Sequence, residues 1–245
     1  MKQGFFTVLE NAPLTPSVYK MRLGGDTSAV TVPGQFINIR LDGFFLRRPI
    51  SVCDYNGEEL TILYKILGRG TEYMTSLRRG DRLDVLTGLG NGFDTADAGG
   101  APLLIGGGVG TPPMYRLCRE LLSAGKPVTV ILGFNTREEI FYEEEFRALG
   151  AKVIVSTADG SYGVKGFVTD AMEGLDYTYF YCCGPEPMLK AVWKKARTSG
   201  QLSFEERMGC GFGACMGCSC KTVTGYKRIC KDGPVLRKEE ILWGG

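Results

Sequence analysis

The feature that most limits the fold is a change of hydrophobic period near residue 94. Before it, apolar residues alternate in short runs: "FFTVLE", "SVYKMRL", "GQFINIRL", "PISVCDY" and "ELTILYKIL", with "GDRLDVLTGLGNGF" closing the series. Gly, Pro, Asn or Asp separates each run from the next. Short strands at this spacing, with turn residues between them, argue for an antiparallel barrel. One helix, "TEYMTSLRR", opened by Thr71, is expected to interrupt it.

After "DTADAGGA" (94–101), a small polar linker, the texture changes. Strand-like "PLLIGGG", "PVTVILGF", "AKVIVST" and "YTYFYCCG" alternate with helix-like "TPPMYRLCRELLSAG", "TREEIFYEEEFRALG", "GFVTDAMEG" and "PEPMLKAVWKKARTSG". The first of these helices carries prolines in its opening turn and stops at Gly125. Such alternation means βαβ units and a parallel sheet covered on both faces. The expected fold is mixed β and α/β. It has an N-terminal antiparallel β-barrel over 1–97, a parallel α/β nucleotide-binding domain over 98–200, and a small C-terminal segment over 201–245. That segment offers one strand candidate, "QLSFEE", and too few apolar residues for a core of its own, so a metal site is the expected organiser.

Composition narrows the chemistry. The chain of 245 residues has a net charge of +2 with both signs mixed, so nothing invites nucleic acid. The longest apolar stretches are strand-sized, far short of the roughly 20 residues that span a bilayer. "MKQGFFTVLENAPL" lacks an apolar signal core, so a cytoplasmic protein is expected. There is no histidine. That excludes Ser-His-Asp and Cys-His catalysis, zinc held by mixed Cys and His, Rieske ligation and haem on a proximal histidine. The chemistry must come from a bound cofactor, or from Cys, Lys, Asp, Glu and Tyr.

Five of the nine cysteines lie between 210 and 230, in "GCGFGACMGCSC" and beyond it. In a reducing cytosol such a cluster reads as metal binding rather than as disulfides. Cys210, Cys215 and Cys218 follow C-x4-C-x2-C, and Cys230 stands apart. This is the plant-type spacing for a [2Fe–2S] cluster. Gly209, Gly211, Gly213 and Gly217 allow the backbone to curl around two irons and expose peptide N–H groups to the sulfurs. Cys220 offers a rival ligand and is taken as spare. The competing reading is a four-cysteine zinc knuckle, which usually needs a second close pair that Cys230 does not supply.

Three further motifs suggest nucleotides. "GGGVGTPP", with Gly106, Gly107, Gly108, Gly110, Thr111 and Pro112, joins a strand to a helix, where a pyrophosphate can rest on the helix N-terminus. It is not the G-x-G-x-x-G fingerprint, and by itself it is also compatible with a close-packed βα turn. Asn135 and Arg137, rather than an acidic residue, follow "PVTVILGF", leaving NAD versus NADP open. Cys183, Gly184 and Pro185 end the last strand at the carboxyl edge, where open α/β sheets bind ligands. Cys182 reads as a buried thiol, whereas Cys183 can reach the cofactor. In the barrel, Arg48 and Ser51 of "LRRPISV" can offer a guanidinium and a hydroxyl to phosphate, and Gly70 and Thr71 open a helix. Two such sites in one barrel point to a dinucleotide lying across it.

Taken together, these residues resemble the ferredoxin reductase-like flavoproteins. The shared pattern is Arg-x-aromatic-Ser/Thr on a barrel strand, here "RPIS" with Ile50 in the aromatic's place, then the Gly-rich turn, then Cys183 to Met188. "LRRPIS", "GRGT", "GDRLDVLTGLGNGF" and "CGFGACMGCSCK" followed by "CKDGPV" are more specific. Over essentially the whole chain they resemble the electron-transfer subunits of B-type dihydroorotate dehydrogenases. The resemblance implies FAD held by Arg48, Pro49, Ile50, Ser51, Leu63, Tyr64, Lys65, Gly70 and Thr71, and NAD at the crevice. It also implies a separate FMN-containing catalytic subunit in a heterotetramer. Electrons from dihydroorotate, in pyrimidine biosynthesis, would pass through the cluster and FAD to NAD+. A related reductase subunit of a sulfide, sulfite or hydrogenase complex would share these domains and differ in its co-purifying chain. A zinc-binding adaptor would be colourless.

Overall fold

The computed structural model describes residues 1–243, so Gly244 and Gly245, the end of the expected third segment, lie outside the described residues. The alternating runs form β1 (Lys2–Pro13), β2 (Val18–Gly24), β3 (Phe36–Ile39), β4 (Arg48–Tyr55) and β5 (Glu59–Lys65). Helix α1 (Arg69–Thr75) follows, then β6 (Arg82–Leu89). These strands close into an antiparallel barrel in the order β1-β2-β5-β4-β3-β6. The alternation decides which side chains fill it, because successive residues point to opposite faces. Ile37, Ile39, Val52, Ile62 and Val85 face inward and are buried with Phe6, Met21 and Leu23. Phe36 and Leu86, of opposite parity, turn outward to pack with the C-terminal half of the chain. Helix α1 begins two residues before the expected Thr71 and stops at Thr75, short of the expected "SLRR".

The linker is firmly held. Asp94 exchanges hydrogen bonds with the Gln201 amide at 2.9 and 2.7 Å, and its carbonyl also accepts the Tyr181 hydroxyl at 3.0 Å. Beyond it run β7 (Pro102–Gly107), α2 (Thr111–Ser123), β8 (Thr129–Phe134), α3 (Glu143–Ala148), β9 (Lys152–Thr157), β10 (Val164–Lys165), α4 (Val168–Ala171), β11 (Tyr179–Cys183), α5 (Glu186–Lys195) and β12 (Gly200–Ser203). The C-terminal segment adds β13 (Ser219–Thr222), β14 (Gly225–Arg228) and β15 (Val235–Arg237). The main sheet has the order β10-β9-β8-β7-β11-β12-β15. It is parallel except for β15, which runs antiparallel to β12. Helices α2 and α3 cover one face, through Met114, Leu117, Leu121 and Phe146. Helices α4 and α5 cover the other, through Val168, Ala171, Leu189 and Val192.

The segment over 201–245 leans on the main sheet, to which β12 and β15 both belong, pairing at Leu202↔Leu236. Two expectations are corrected. Strand "QLSFEE" ends at Ser203, where Phe204 to Glu206 leave the sheet. The long helix expected over "TREEIFYEEEFRALG" is broken into a turn at Arg137–Glu139 and α3. The cause is Tyr142. It is buried, its ring meets that of Tyr115 edge-on at 5.2 Å, and its backbone adopts φ 66°, which no helix accommodates.

The barrel and sheet are joined where α2 lies against β4. Arg116 donates to the Tyr55 carbonyl at 2.6 Å with its guanidinium over the Tyr55 ring, and Arg119 donates to the Asp54 carboxylate at 2.7 Å. No helix among the described residues is long and apolar enough to cross a membrane.

Candidate functional site

A cavity of about 870 Å3 lies between barrel and sheet. The barrel contributes Arg48, Pro49, Ile50 and Ser51 of β4, Leu63, Tyr64 and Lys65 of β5, and Thr71. The sheet contributes Gly107, Gly108, Gly110, Cys183, Gly184 and Pro185. The structure therefore gathers most of the nucleotide residues expected from sequence around one space. Side chains do not all face it. Tyr64 is buried in the barrel and donates its hydroxyl to Asn11 at 2.9 Å, and Ile50 packs toward the barrel core opposite Ile37.

Gly70, Gly106, Thr111 and Pro112 are not in the cavity wall. Gly70 lies behind Arg48, and a Cβ there would strike the guanidinium, so its hydrogen side chain makes room for Arg48. A Cβ on Gly106 would lie 2.8 Å from Thr111 Cα, so this glycine brings β7 and α2 together. Thr111 is fully buried, and its hydroxyl has no hydrogen-bond partner. Parallel pairing sets Gly106 beside Cys183. A side chain on Gly110 would collide with the Cys183 carbonyl. Met188 lies against both Gly107 and Gly184, so the two Gly-containing turns meet over one methionine.

Cys183 belongs to the wall of this space, but not as a nucleophile. Burial pushes its thiol up to about 12, although Ser203 pulls the other way through a hydrogen bond. It is a neutral thiol at physiological pH, without thiolate reactivity.

The cysteine loop curls through left-handed positions at Gly211 (φ 80°) and Gly213 (φ 92°), which glycine adopts without strain. All nine cysteines are free thiols. Cys210 Sγ accepts peptide N–H bonds from Ala214 at 3.2 Å and Cys215 at 3.5 Å, and Cys218 Sγ accepts from the Cys230 N–H at 3.4 Å. The backbone N–H groups of Ala214, Cys215 and Cys230 are thus already directed at cysteine sulfurs. Among the described residues no three His, Cys, Asp or Glu side chains converge as ligands of one metal ion. Burial pushes the Cys210 thiol up, but donors from Cys215, Phe212 and Ala214 outweigh it and bring it down to about 6. Burial, then the neighbouring Cys218, push Cys230 up to about 12. Cys220 sits on β13, and burial followed by Glu206 raises its thiol.

Residues 205–242 match the family described as the iron-sulfur cluster binding domain of dihydroorotate dehydrogenase B, and residues 104–194 match the oxidoreductase NAD-binding domain. The chain is 42% identical, over 99% of its length and 99% of the relative's, to the dihydroorotate dehydrogenase B (NAD(+)), electron transfer subunit of Geobacillus sp. (strain WCH70). The chain belongs to this family of electron transfer subunits. The subunit of the same name from Fusobacterium nucleatum subsp. nucleatum is 43% identical over 96% of both chains. Among solved structures, the NADH-dependent reduced ferredoxin-NADP oxidoreductase superposes with a TM-score of 0.89 at 30% identity, covering 98% of this chain and 90% of that one. The cytochrome b5 reductase domain of Ulva prolifera nitrate reductase shares the fold, with a TM-score of 0.65 at 20% identity over 85% of this chain and 96% of that one. As an electron transfer subunit of dihydroorotate dehydrogenase B, the protein works with a catalytic partner subunit and with NAD+.

Sequence reasoning passed over an acidic residue of the cavity wall. Glu139 lines the cavity beyond the end of β8, and the Asn135 side chain donates to its carboxylate at 2.8 Å. It does not follow β8 directly, and a short turn at Arg137–Glu139 carries it back to the cavity. Phe167, Phe204, Glu205 and Met208 also line the cavity and carried no motif signal.

Proposed function

We propose that the cavity holds FAD against the barrel and NAD against the sheet, and that Cys210, Cys215, Cys218 and Cys230 hold a [2Fe–2S] cluster beside them. The observation that carries this reading is the shared wall. One space is bounded by β4, by the Gly107–Gly110 turn and by Met208, two residues before Cys210. When bound, these groups supply single-electron transfer at the cluster and the pairing of two electrons into one hydride for NAD+ at the flavin.

The chain's own residues provide placement. Arg48 offers a guanidinium to the flavin pyrophosphate, with Ser51 of the same strand beside it. Thr71 accepts the Leu67 N–H at 2.9 Å and donates to the Gly68 carbonyl at 3.1 Å, fixing the turn next to Arg48. Gly107, Gly108 and Gly110 leave backbone open to the NAD pyrophosphate, and the unpartnered Thr111 hydroxyl opens α2 behind them. Glu139 accepts ribose hydroxyls and repels a 2′-phosphate, which supports NAD over NADP. The C-x4-C-x2-C spacing of Cys210, Cys215 and Cys218 with a distant Cys230 suits two irons better than a single zinc.

The partner is an FMN-containing subunit that oxidises dihydroorotate to orotate in pyrimidine biosynthesis, and the assembly is a heterotetramer. Exposed Cys215, Phe212 and Met216 offer the cluster end of the chain to it. A cluster of cysteines held as metal ligands rather than disulfides supports a reducing, cytoplasmic setting. The purified chain is expected to show flavin and iron–sulfur absorption, to oxidise NADH with an artificial acceptor, and to leave dihydroorotate unchanged. Turnover of dihydroorotate without a partner, or a colourless chain containing zinc, would refute this reading.

A further inference from the structure

Asn38 is a polar residue in an otherwise apolar strand, "FINI" giving way to its amide at the third position. It is 1% exposed. Its parity is that of Phe36, so its side chain leaves the barrel interior, which Ile37 and Ile39 fill. Across the pair to β4 it stands directly opposite Pro49, and residues so paired share a face of the sheet. Pro49 and Ser51 on that face line the cavity assigned to the flavin. On its other side Asn38 meets the cysteine loop. Its Nδ2 donates to the Cys210 carbonyl at 3.2 Å, and a side chain on Gly211 would strike the same amide group. The Asn38 carbonyl accepts from Arg47 at 3.3 Å, and Arg47 also reaches the Asp84 carboxylate at 2.9 Å, which fixes the strand locally.

The amide is costly where it is. Its Oδ1 is buried with no hydrogen-bond partner. A leucine would fill a barrel-surface position of this kind without that penalty. What the amide supplies in exchange is one directional bond to the backbone of a cluster ligand. Phe36 provides the apolar part of the same contact, since it packs in one cluster of side chains with Cys218 and Cys230.

We propose that Asn38 is a positioning residue for electron transfer, fixing the Cys210 end of the cysteine loop against the strand that borders the flavin. The proposal rests on the reading above that Cys210 is a cluster ligand and that FAD lies on β4. Asn38 touches neither redox group's reacting atoms. It sets the separation across which each single electron passes, and such transfers are sensitive to small displacements.

The test uses the full chain with flavin and cluster bound. Rapid mixing with NADH places two electrons in the flavin as a hydride, of which one passes on to the oxidised cluster. Flavin bleaching is followed by absorbance, and cluster reduction by freeze-quench electron paramagnetic resonance. Asn38→Leu is expected to keep wild-type flavin and iron content and wild-type flavin bleaching. Its cluster reduction should slow severalfold, because the tunnelling rate falls exponentially as the loop and the flavin-bordering strand move apart. Gly211→Ala, which pushes on the same amide from the loop side, is expected to slow the same step and carries the test if Asn38→Leu does not fold. Cluster reduction at the wild-type rate in the variant tested would overturn the proposal. So would loss of iron with flavin retained, which would make Asn38 only a brace for the loop. Failure of the underlying reading is distinguishable, because the unmutated chain would then lack iron or give no cluster signal with NADH.

Discussion

The barrel and the cysteine loop are held together by opposite means. In the barrel, the two-residue period delivers Phe6, Met21, Leu23, Ile37, Ile39, Ile62 and Val85 to one interior, and burial of about 25 cal/mol per Å2 of apolar surface does the rest. The loop from Gly209 to Cys230 has no interior of its own. It exposes Phe212, Met216 and Tyr226, and it borrows its apolar contacts from Phe36, Leu86 and Leu89 of the barrel. One region is specified by side-chain size and alternation, the other by where sulfur atoms can meet. A redox chain benefits from both, since the barrel gives a rigid platform and the loop gives a sulfur-lined site at the surface.

The largest expected effect separates the two regions outright. Cys218→Ser should abolish the cluster signal and remove hydrogen-exchange protection from the β13–β14 hairpin, while β1 and β2 stay protected and flavin stays bound. Simultaneous loss of flavin and cluster would show that the regions are not held independently. Next comes the shared cavity. Gly110→Val should cut NADH oxidation by about 10²-fold with flavin retained, because the added side chain meets the Cys183 backbone and cannot be absorbed by a side-chain rotation. On the barrel side, Arg48→Met should weaken flavin binding by about 10- to 100-fold, the equivalent of a charged hydrogen bond at ~1.5–3 kcal/mol, with iron content unchanged on titration. A smaller change is expected from Glu139→Gln. Preference for NADH over NADPH, measured as a ratio of kcat/KM with an artificial acceptor, should narrow about tenfold, the scale of one polar contact. The smallest is Cys220→Ser, for which iron and sulfide analysis should return wild-type content. A loss there would make Cys220 a ligand and redraw the loop.

The sequence made the barrel and the doubly covered sheet legible because both follow from hydrophobic period, which is local information. The cavity was legible in part for the same reason: Arg48, the Gly-rich turn and Cys183 all sit at strand ends or helix starts, where period stops. Its other residues were hidden by long-range geometry. Glu139 reaches the site only because Tyr142 breaks the helix that the acidic run "EEIFYEEEF" suggests, and the reason is burial of an aromatic ring rather than any local breaker. The hairpin β13–β14 has a short signal, Gly225 at φ 114° between "KTVT" and "YKR", that the neighbouring cysteines obscured. Strand β15 had none, since "VLR" is a strand only because β12 presents an open edge to it.

That last strand has a consequence for how the metal centre can be assembled. Because β12 precedes the cysteines and β15 follows them, both ends of the intervening segment are anchored side by side on the same sheet. The Asn91 side chain clasps the returning end as well, at 2.8 and 3.1 Å from Val235. The sulfur ligands are thus presented on a noose already drawn shut at its base, so the entropy of closing it is met by the protein before any iron arrives. Iron and sulfide then need only tighten a prepared loop, and a chain stripped of them keeps its doorway for their return.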